Sequence, residues 1–309
     1  MKTSQTNYVF FVDILGIGAL TKNQINLSKV PLAIHGIKRK NIPHNAINHH
    51  LAAALLSKFR EILVQLNTKH EQVKVAQLSD CAFIWSTNIK QLFLFACEFM
   101  HESIKNGILC RAGFASGDVI ESTEDGKNIG KFIVGSAVTS AVKLERSGKG
   151  CRIFTEEDCA GKILSAFSRS TLIHKIIKEV VIPTDYSVID EIKWYLLSTF
   201  GENLDESVDS ENSLRKTIYN TVSISTCLNY SPIFSWNASN AEGRIHLSAS
   251  IEAITSSVSL LIKNSDYKRD AYLVKDFLIK RSNRDFRNRL KHLRSDVDNI
   301  QYEQNGNSQ

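Results

Sequence analysis

Two aspartates occupy positions where a carboxylate can do chemistry. Asp13 ends the apolar run Val9–Val12, and Asp80 lies inside the segment QVKVAQLSDCAFIWS, between two stretches of strand-like composition. A buried, unpaired carboxylate is costly, so each side chain must be hydrogen-bonded, neutralised or bound to a cation. Two carboxylates that meet repel each other unless a divalent cation lies between them. Taken alone, Asp13 could instead cap a turn at an exposed strand end.

The elements that must position these residues follow from the hydrophobic pattern. The run at 9–14 predicts a strand buried on both faces, and apolar residues at helical spacing predict a long amphipathic helix from Ile47 to Leu66. A tight turn at Ser79-Asp80 joins two predicted strands. The following residues predict a helix ending at Gly107, a strand within 108–122, a helix ending at Gly148 and the short strand CRIFT.

The order strand-helix-strand-strand-helix-strand is that of the split βαβ, ferredoxin-like arrangement, so the predicted fold class is α+β. In this topology the end of the first strand and the turn between the second and third strands lie at one rim of the sheet. That rim would bring Asp13 and Asp80 together. The fourth strand carries small residues that allow another element to approach closely, namely Ala112, Gly113, Ala115 and Gly117.

The pattern divides the chain into three predicted parts. Residues 1–160 form the α+β domain, residues 161–295 form a C-terminal strand and helix extension of unknown role, and residues 296–309 form a flexible tail. Within the extension, VVIPTDYSVIDEIKWYLLS predicts more sheet, and the stretch from 214 to 294 is mainly helical in pattern.

The composition excludes several classes of protein. With 43% hydrophobic and 23% charged residues, the chain has the balance of an ordinary globular protein. No apolar run reaches the roughly 20 residues of a membrane span, and the six cysteines lack metal or disulfide spacing. We therefore expect a cytoplasmic protein with no membrane partner. The basic segment 279–294 suggests nucleic-acid binding, but no aromatic residues interleave with its basic ones, which favours a solvated helix face.

Four segments resemble, in this order, the catalytic domain of class III nucleotidyl cyclases: FVDILG at 11–16, LSD at 78–80, CRAGFASGDV at 110–119 and VGSAVTSAVKLE at 134–145. The chain is most similar to the bacterial pyrimidine cyclases of the Pycsar anti-phage systems, which carry SD where adenylate cyclases carry GD. The resemblance covers about the first half of the chain. It implies a ferredoxin-like class III catalytic domain followed by a mainly helical extension.

The resemblance also implies roles for the residues around the two aspartates. Asp13, the backbone carbonyl of Ile14 and Asp80 would hold two Mn²⁺ or Mg²⁺ ions. The backbone amides of Ile14, Leu15 and Gly16 would cradle phosphate oxygens. One ion would lower the pKa of the ribose 3′-hydroxyl for attack on the α-phosphate, and the other would steady the leaving pyrophosphate.

Class III sites form between two domains packed head to tail, so the resemblance implies a homodimer with shared active sites. The helix at 134–145 would face the partner's metal ions, where the family usually has Asn and Arg and this chain has Thr139 and Lys143. Lys143 could supply positive charge to the phosphate, though without the bidentate fork of Arg, and Arg111 is the other candidate. An ordinary surface role for Lys143 stays equally open. We expect Glu145 to have a structural role and to pair with Arg146, Arg152 or a residue of the partner chain.

The positions that select adenine in adenylate cyclases hold Ala76 and Phe132 in this chain. These residues provide no donor–acceptor pair for a purine edge, and Phe132 takes up room. The resemblance therefore favours a pyrimidine base, with UTP placed before CTP. His49 and His50 lie on the long helix and could contact the base, although a solvent-exposed role is the more common one for such residues.

The function expected from this resemblance is metal-dependent conversion of UTP to 3′,5′-cyclic UMP and pyrophosphate, as a second messenger in anti-phage defence. The product would activate a separate effector protein. Three alternatives stay open: a cytidylate cyclase that makes cyclic CMP, a catalytically weak module that senses a nucleotide, and a nucleic-acid binder that uses the basic segment 279–294.

Overall fold

The structure is a computed structural model of the 309-residue chain. It describes residues 6–25, 27, 32, 36–38, 42–43, 46–121, 132–182, 186–197 and, towards the C-terminus, 243, 245, 246, 249, 250 and 253. The predicted basic segment at 279–294 and the predicted tail at 296–309 lie outside the described residues.

Nine strands and six α-helices make up the described part of the chain. In chain order they are β1 (Thr6–Ile14), α1 (Ile17–Thr21), α2 (Ile47–Lys69), β2 (Lys74–Leu78), β3 (Cys81–Ser86), α3 (Ile89–Lys105), β4 (Cys110–Asp118), β5 (Ile120–Glu121), β6 (Ile133–Val134), α4 (Ser136–Arg146), β7 (Ile153–Thr155), α5 (Glu157–Ala166), α6 (Thr171–Ile176), β8 (Ile177–Val181) and β9 (Val188–Ile192), followed by a 3₁₀ turn at Trp194–Leu196.

The main sheet has seven strands in the order β2-β3-β1-β4-β7-β9-β8. Strand β1 pairs antiparallel with β3 on one side and with β4 on the other, and β2 forms an antiparallel hairpin with β3. The order β2-β3-β1-β4, with α2 and α3 as the connections, is the ferredoxin-like arrangement. The structure therefore confirms the predicted α+β class and the predicted topology of the first half of the chain.

The alternation of side chains along β1 assigns its residues to the two faces of the sheet. Phe10, Val12 and Ile14 belong to the larger core cluster, which includes the buried residues of α2 and α3. Val9 and Phe11 belong to a smaller cluster, which includes the buried alanines of α4. Because the period is two residues, Asp13 shares a face with Val9 and Phe11 and points to the side that α4 covers.

Helix α4 packs unusually close to the sheet because of a glycine on β4. A Cβ atom added to Gly113 would come within 2.0 Å of the Ala141 carbonyl oxygen and 2.7 Å of the Glu145 amide nitrogen. Only glycine leaves room for this approach. The prediction that the small residues of the fourth strand admit another element is confirmed, and that element is a helix of the same chain.

The sheet continues past residue 160. Strand β9 pairs antiparallel with β7 and with β8, so the predicted strands at VVIPTDYSVIDEIKWYLLS are confirmed and extend the same sheet. The predicted division between residues 160 and 161 falls inside α5 (Glu157–Ala166). None of the helices in the described ranges has the length and apolar character needed to cross a membrane.

Candidate active site at the sheet rim

Asp13 and Asp80 lie side by side at one rim of the sheet. Asp13 is the penultimate residue of β1, and its neighbour in the ladder with β3 is Cys81, the residue after Asp80. The backbone amide of Ile14 donates a hydrogen bond to the carbonyl oxygen of Asp80 at 2.9 Å. The two-residue turn before β3 is made possible by Ser79, which adopts a φ of +56°. The predicted meeting of the two aspartates is confirmed.

The pKa of Asp13 reflects the negative charge gathered at this rim. Burial, the largest cause, and the carboxylates of Glu145 and Asp80 together raise the pKa of Asp13 from 3.8 to about 7, while Arg111 and Arg146 act in the opposite direction. An ionised Asp13 is therefore costly in the absence of a compensating cation. The same surroundings, with burial as the largest cause and Asp13 and Asp80 as the nearest charges, raise the pKa of the Cys81 thiol to about 11.

Glu145 is a member of this cluster that the sequence interpretation treated only as a structural residue. It is buried on α4, and its Oε1 accepts a hydrogen bond from Arg111 Nε at 2.6 Å. The predicted partners within the chain were Arg146 and Arg152, but the main partner is Arg111. Arg146 lies farther away at 4.0 Å, and Arg152 pairs with Glu191 instead. The spacing of Ala137, Ala141 and Glu145 places all three on one helix face, and that was the signal for its burial.

Arg111 is the residue directly opposite Asp13 in the β1–β4 ladder. Its Nη1 donates to the Gly148 carbonyl oxygen at 2.9 Å, in addition to the bond with Glu145. Its Nη2 also contacts the same Glu145 oxygen, so all three guanidinium nitrogens have partners within the chain. A phosphate that used Arg111 would have to compete with a buried carboxylate for it.

The backbone around Ile14, Leu15 and Gly16 has a defined hydrogen-bonding pattern. The Ile14 amide binds Asp80, and the Leu15 amide donates to the Leu109 carbonyl oxygen at 2.8 Å. Gly16 has a φ of +91° and precedes α1 as its N-cap residue, a conformation that glycine adopts without strain. A phosphate cradled by the Ile14 or Leu15 amide would have to displace one of these two bonds.

Thr139 and Lys143 lie one helical turn apart on the exposed side of α4. The Thr139 hydroxyl donates to the Gly135 carbonyl oxygen at 3.3 Å, within its own helix. The buried residues of α4 face Asp13 of the same chain, so Thr139 and Lys143 point away from that carboxylate. This is the orientation that contact with a second copy would require.

Ala76 lies on the same sheet face as Asp13. It is opposite Phe83 in the β2–β3 ladder, and Phe83 is in turn opposite Phe11 of β1, with a distance of 4.6 Å between the centroids of the two rings. Ala76 and Phe83 are both half-buried and Leu78 is 64% exposed, so an apolar surface leads along β2 and β3 towards the aspartates.

Phe132 lies next to β6 in the small β5–β6 hairpin and is 62% exposed. Glu121 of this hairpin contacts Lys74 at 2.5 Å and accepts from the Trp85 indole nitrogen at 3.3 Å. Lys74 and Trp85 are paired in the β2–β3 ladder, two residues beyond the pair Ala76–Phe83 in the direction away from Asp13.

His49 and His50 are exposed at the start of α2. His49 Nε2 is 3.0 Å from the carbonyl oxygen of Thr21, at the end of α1. Helix α2 packs on the sheet face opposite to the one that carries Asp13. Among the described residues, the structure gives no contact between His50 and the rim that carries Asp13, so the contact of His50 with a bound base stays a prediction.

The donor atoms at the rim suit a hard divalent cation. Carboxylate oxygens of Asp13 and Asp80 and the carbonyl oxygen of Ile14 are the ligand types that Mg²⁺ and Mn²⁺ prefer, and the like charges around Asp13 favour a cation there. Within the described ranges, no group of three or more His, Cys, Asp or Glu side chains is arranged to hold a metal ion.

Comparisons with known proteins give matches in structure only. The chain is similar to the guanylyl cyclase domain of the RhoGC fusion protein from the aquatic fungus Blastocladiella emersonii, with 17% identity, a TM-score of 0.43, and coverage of 61% of this chain and 95% of that chain. It is also similar to the guanylate cyclase domain of RhGC from Catenaria anguillulae in complex with GTP, with 15% identity, a TM-score of 0.42, and coverage of 60% and 94%.

A third similar structure is the adenylyl cyclase CyaB from P. aeruginosa, with 15% identity, a TM-score of 0.38, and coverage of 62% of this chain and 96% of that chain. No protein-family model matches the sequence, and a search of curated protein sequences finds no match.

Proposed function

We propose that this protein is a metal-dependent nucleotide cyclase of class III that acts on a pyrimidine nucleoside triphosphate. The observation that carries the proposal is the meeting of Asp13 and Asp80 at one rim of a ferredoxin-like sheet, with the Ile14 amide bound to the Asp80 carbonyl oxygen. The four cyclase-like segments of the sequence support it, because they include both aspartates and helix α4.

The reaction is an intramolecular phosphoryl transfer. The ribose 3′-oxygen forms a bond to the α-phosphorus, the bond from that phosphorus to the pyrophosphate breaks, and the hydroxyl proton passes to solvent water. When bound, Mg²⁺ or Mn²⁺ would lower the pKa of the hydroxyl and balance the charge of the triphosphate. Asp13, Asp80 and the carbonyl of Ile14 would hold the cation.

We place UTP first and CTP second among the substrates. Ala76 is opposite Phe83, whose ring contacts Phe11, and its methyl group offers no hydrogen-bond donor to a purine edge. An aromatic and apolar surface suits stacking of a single-ring base. Phe132, in the β5–β6 hairpin, would limit the room for a larger base.

We further propose that the active protein is a homodimer with shared sites. Thr139 and Lys143 are exposed on α4 and would reach the triphosphate of the partner, with Lys143 as the positive charge. The cyclic UMP formed would act as a second messenger in anti-phage defence, through a separate effector protein.

The test is a product assay with the purified full-length chain, Mn²⁺ and each of the four nucleoside triphosphates in turn. We expect cyclic UMP and an equal amount of pyrophosphate, measured by liquid chromatography and mass spectrometry. Asp13→Asn and Asp80→Asn should abolish the product. Asp158→Asn is the matched control, because this exposed carboxylate lies on α5 beside Lys162 and takes no part in the site.

A cyclic purine product would overturn the base assignment but leave the cyclase proposal standing. Absence of any cyclic product from a folded dimer would overturn the catalytic proposal itself.

A second candidate function is nucleotide binding without turnover. It is favoured because two residues proposed to contact the triphosphate already have hydrogen-bond partners within the chain. Arg111 is already bound to Glu145 and to the Gly148 carbonyl, and the Thr139 hydroxyl is bound within its own helix. Calorimetry with UTP would support this function if it found tight binding in the absence of any product.

A further inference from the structure

The loop between α4 and β7, residues 147–152, is held by two side chains from far along the chain. His246 Nδ1 accepts a hydrogen bond from the Gly150 amide at 3.1 Å, and Ser250 Oγ accepts one from the Cys151 amide at 2.8 Å. The Ser250 hydroxyl also donates to the His246 carbonyl oxygen at 2.8 Å. His246 is 7% exposed and Ser250 is fully buried. We call His246 and Ser250 the C-terminal clasp.

The shape of the loop is adapted to this contact. Gly150 has a φ of +92°, and a Cβ atom there would come within 2.9 Å of the Ser250 amide nitrogen and 3.0 Å of the Ala249 carbonyl carbon. Both the backbone conformation and the space therefore require glycine at this position. Burial, with smaller contributions from Arg111 and Lys149, lowers the pKa of His246 to about 4, so its Nδ1 is available as an acceptor at neutral pH.

The same loop holds Arg111. The Gly148 carbonyl accepts from Arg111 Nη1 at 2.9 Å, and Glu145, just before the loop, accepts from Nε at 2.6 Å. Arg111 is opposite Asp13 in the β1–β4 ladder. It is therefore a cation placed beside the carboxylate that the proposed metal ion would use.

From this arrangement, and resting on the proposed function, we infer that the C-terminal clasp is a positioning device for the metal site. By fixing the loop, His246 and Ser250 keep the Arg111 guanidinium on Glu145 and Gly148. Asp13 then stays open to a divalent cation. The extension after residue 160 would thus raise the affinity of the Asp13–Asp80 site for a metal ion, although it contributes no metal ligand.

The physical reason is competition between two cations for one carboxylate. Loss of the clasp would leave the buried Gly150 and Cys151 amides without acceptors, and the loop would shift to expose them to water. The Arg111 Nη1 group would then lose the Gly148 carbonyl, and this freed donor would turn to Asp13, the residue opposite Arg111 in the β1–β4 ladder. Metal binding would have to break that new ion pair.

The test measures Mn²⁺ binding to the full-length protein by electron paramagnetic resonance, which detects free Mn²⁺ without any need for turnover. We expect Ser250→Ala and His246→Ala each to weaken Mn²⁺ binding by roughly 10-fold. This is the size of loss seen when a residue that orients a metal ligand, without binding the metal itself, is replaced. Their turnover at saturating Mn²⁺ should stay close to that of the wild type. Ser170→Ala is the matched control, since Ser170 is also fully buried and accepts from the Ile173 amide, at the start of α6.

A second background separates positioning from general destabilisation. In the double variant Arg111→Met/Glu145→Leu the competing cation is absent, so adding Ser250→Ala should leave the Mn²⁺ affinity unchanged. If Ser250→Ala weakens Mn²⁺ binding equally in the wild-type and double-variant backgrounds, the clasp does not act through Arg111 and the inference fails. The inference also fails if the wild type binds Mn²⁺ and Ser250→Ala leaves that affinity unchanged. If the wild type itself binds no Mn²⁺, the proposed function fails and the inference fails with it.

Discussion

Replacing Asp13 with asparagine should stabilise the metal-free protein, although it removes the central residue of the proposed site. The substitution keeps the size of the side chain and removes a negative charge from a rim that also holds Asp80 and Glu145. Burial and these two carboxylates raise the pKa of Asp13 from 3.8 to about 7. The folded protein therefore binds a proton at Asp13 more tightly than the unfolded chain does, and folding stability must fall as the pH rises between these values.

The size of the effect follows from the pKa. At about 1.4 kcal/mol for each pKa unit, the rise at Asp13 corresponds to an upper bound of ~4 kcal/mol of lost stability above pH 7. The side chain is partly accessible to solvent, which screens its charge, so we expect Asp13→Asn to gain about 1–3 kcal/mol at pH 8. Near pH 4, where Asp13 is protonated in the folded state, the gain should vanish.

The assay is urea unfolding of wild type and variant at pH 4 and pH 8 with a chelator present, followed by circular dichroism. Asp158→Asn is the control with the opposite sign, because hydrogen bonds from Lys162 and Ser116 lower the pKa of that exposed carboxylate. Equal or lower stability of Asp13→Asn at pH 8, in a variant with the wild-type spectrum, would show that Asp13 has a structural role and that the rim is not electrostatically strained.

Three further predictions concern the same part of the molecule. Gly113→Ala should destabilise the fold by about 3 kcal/mol or more, measured by urea unfolding, because its Cβ would lie 2.0 Å from the Ala141 carbonyl oxygen and a backbone atom cannot rotate away. Arg111→Met should cost about 3–5 kcal/mol, since it leaves Glu145 buried without its partner, and Arg111→Met/Glu145→Leu should recover most of that loss in the same assay. Mn²⁺ at 100 times its dissociation constant should stabilise the wild type by about 2.7 kcal/mol in thermal unfolding and should not stabilise Asp80→Asn; equal stabilisation of both would place the ion elsewhere.

Local pattern was enough to predict most of the first half of the fold. The hydrophobic period of α2, the two-residue turn at Ser79-Asp80 and the order of strands and helices all depend on residues close together in the chain. Once that order is known, few topologies are possible, and the ferredoxin-like one places Asp13 beside Asp80. This is why the meeting of two distant carboxylates could be predicted from the sequence.

The roles of Glu145 and of the C-terminal clasp could not be predicted in the same way. Glu145 pairs with Arg111 only because Gly113, which has no side chain, allows α4 to pack close enough to β4 for the two side chains to meet. His246 reaches Gly150 across 96 positions, and no local period relates residues so far apart.

The sequence by itself therefore determined the main strands and helices of the first half of the chain, their order and the pair of aspartates, since these depend on periodicity, turn chemistry and the rules of strand connection. Only the tertiary structure decided which charges surround Asp13 and what holds them in place. Those contacts depend on the close packing of side chains from separate elements, and packing is specified by the whole fold and not by any one segment.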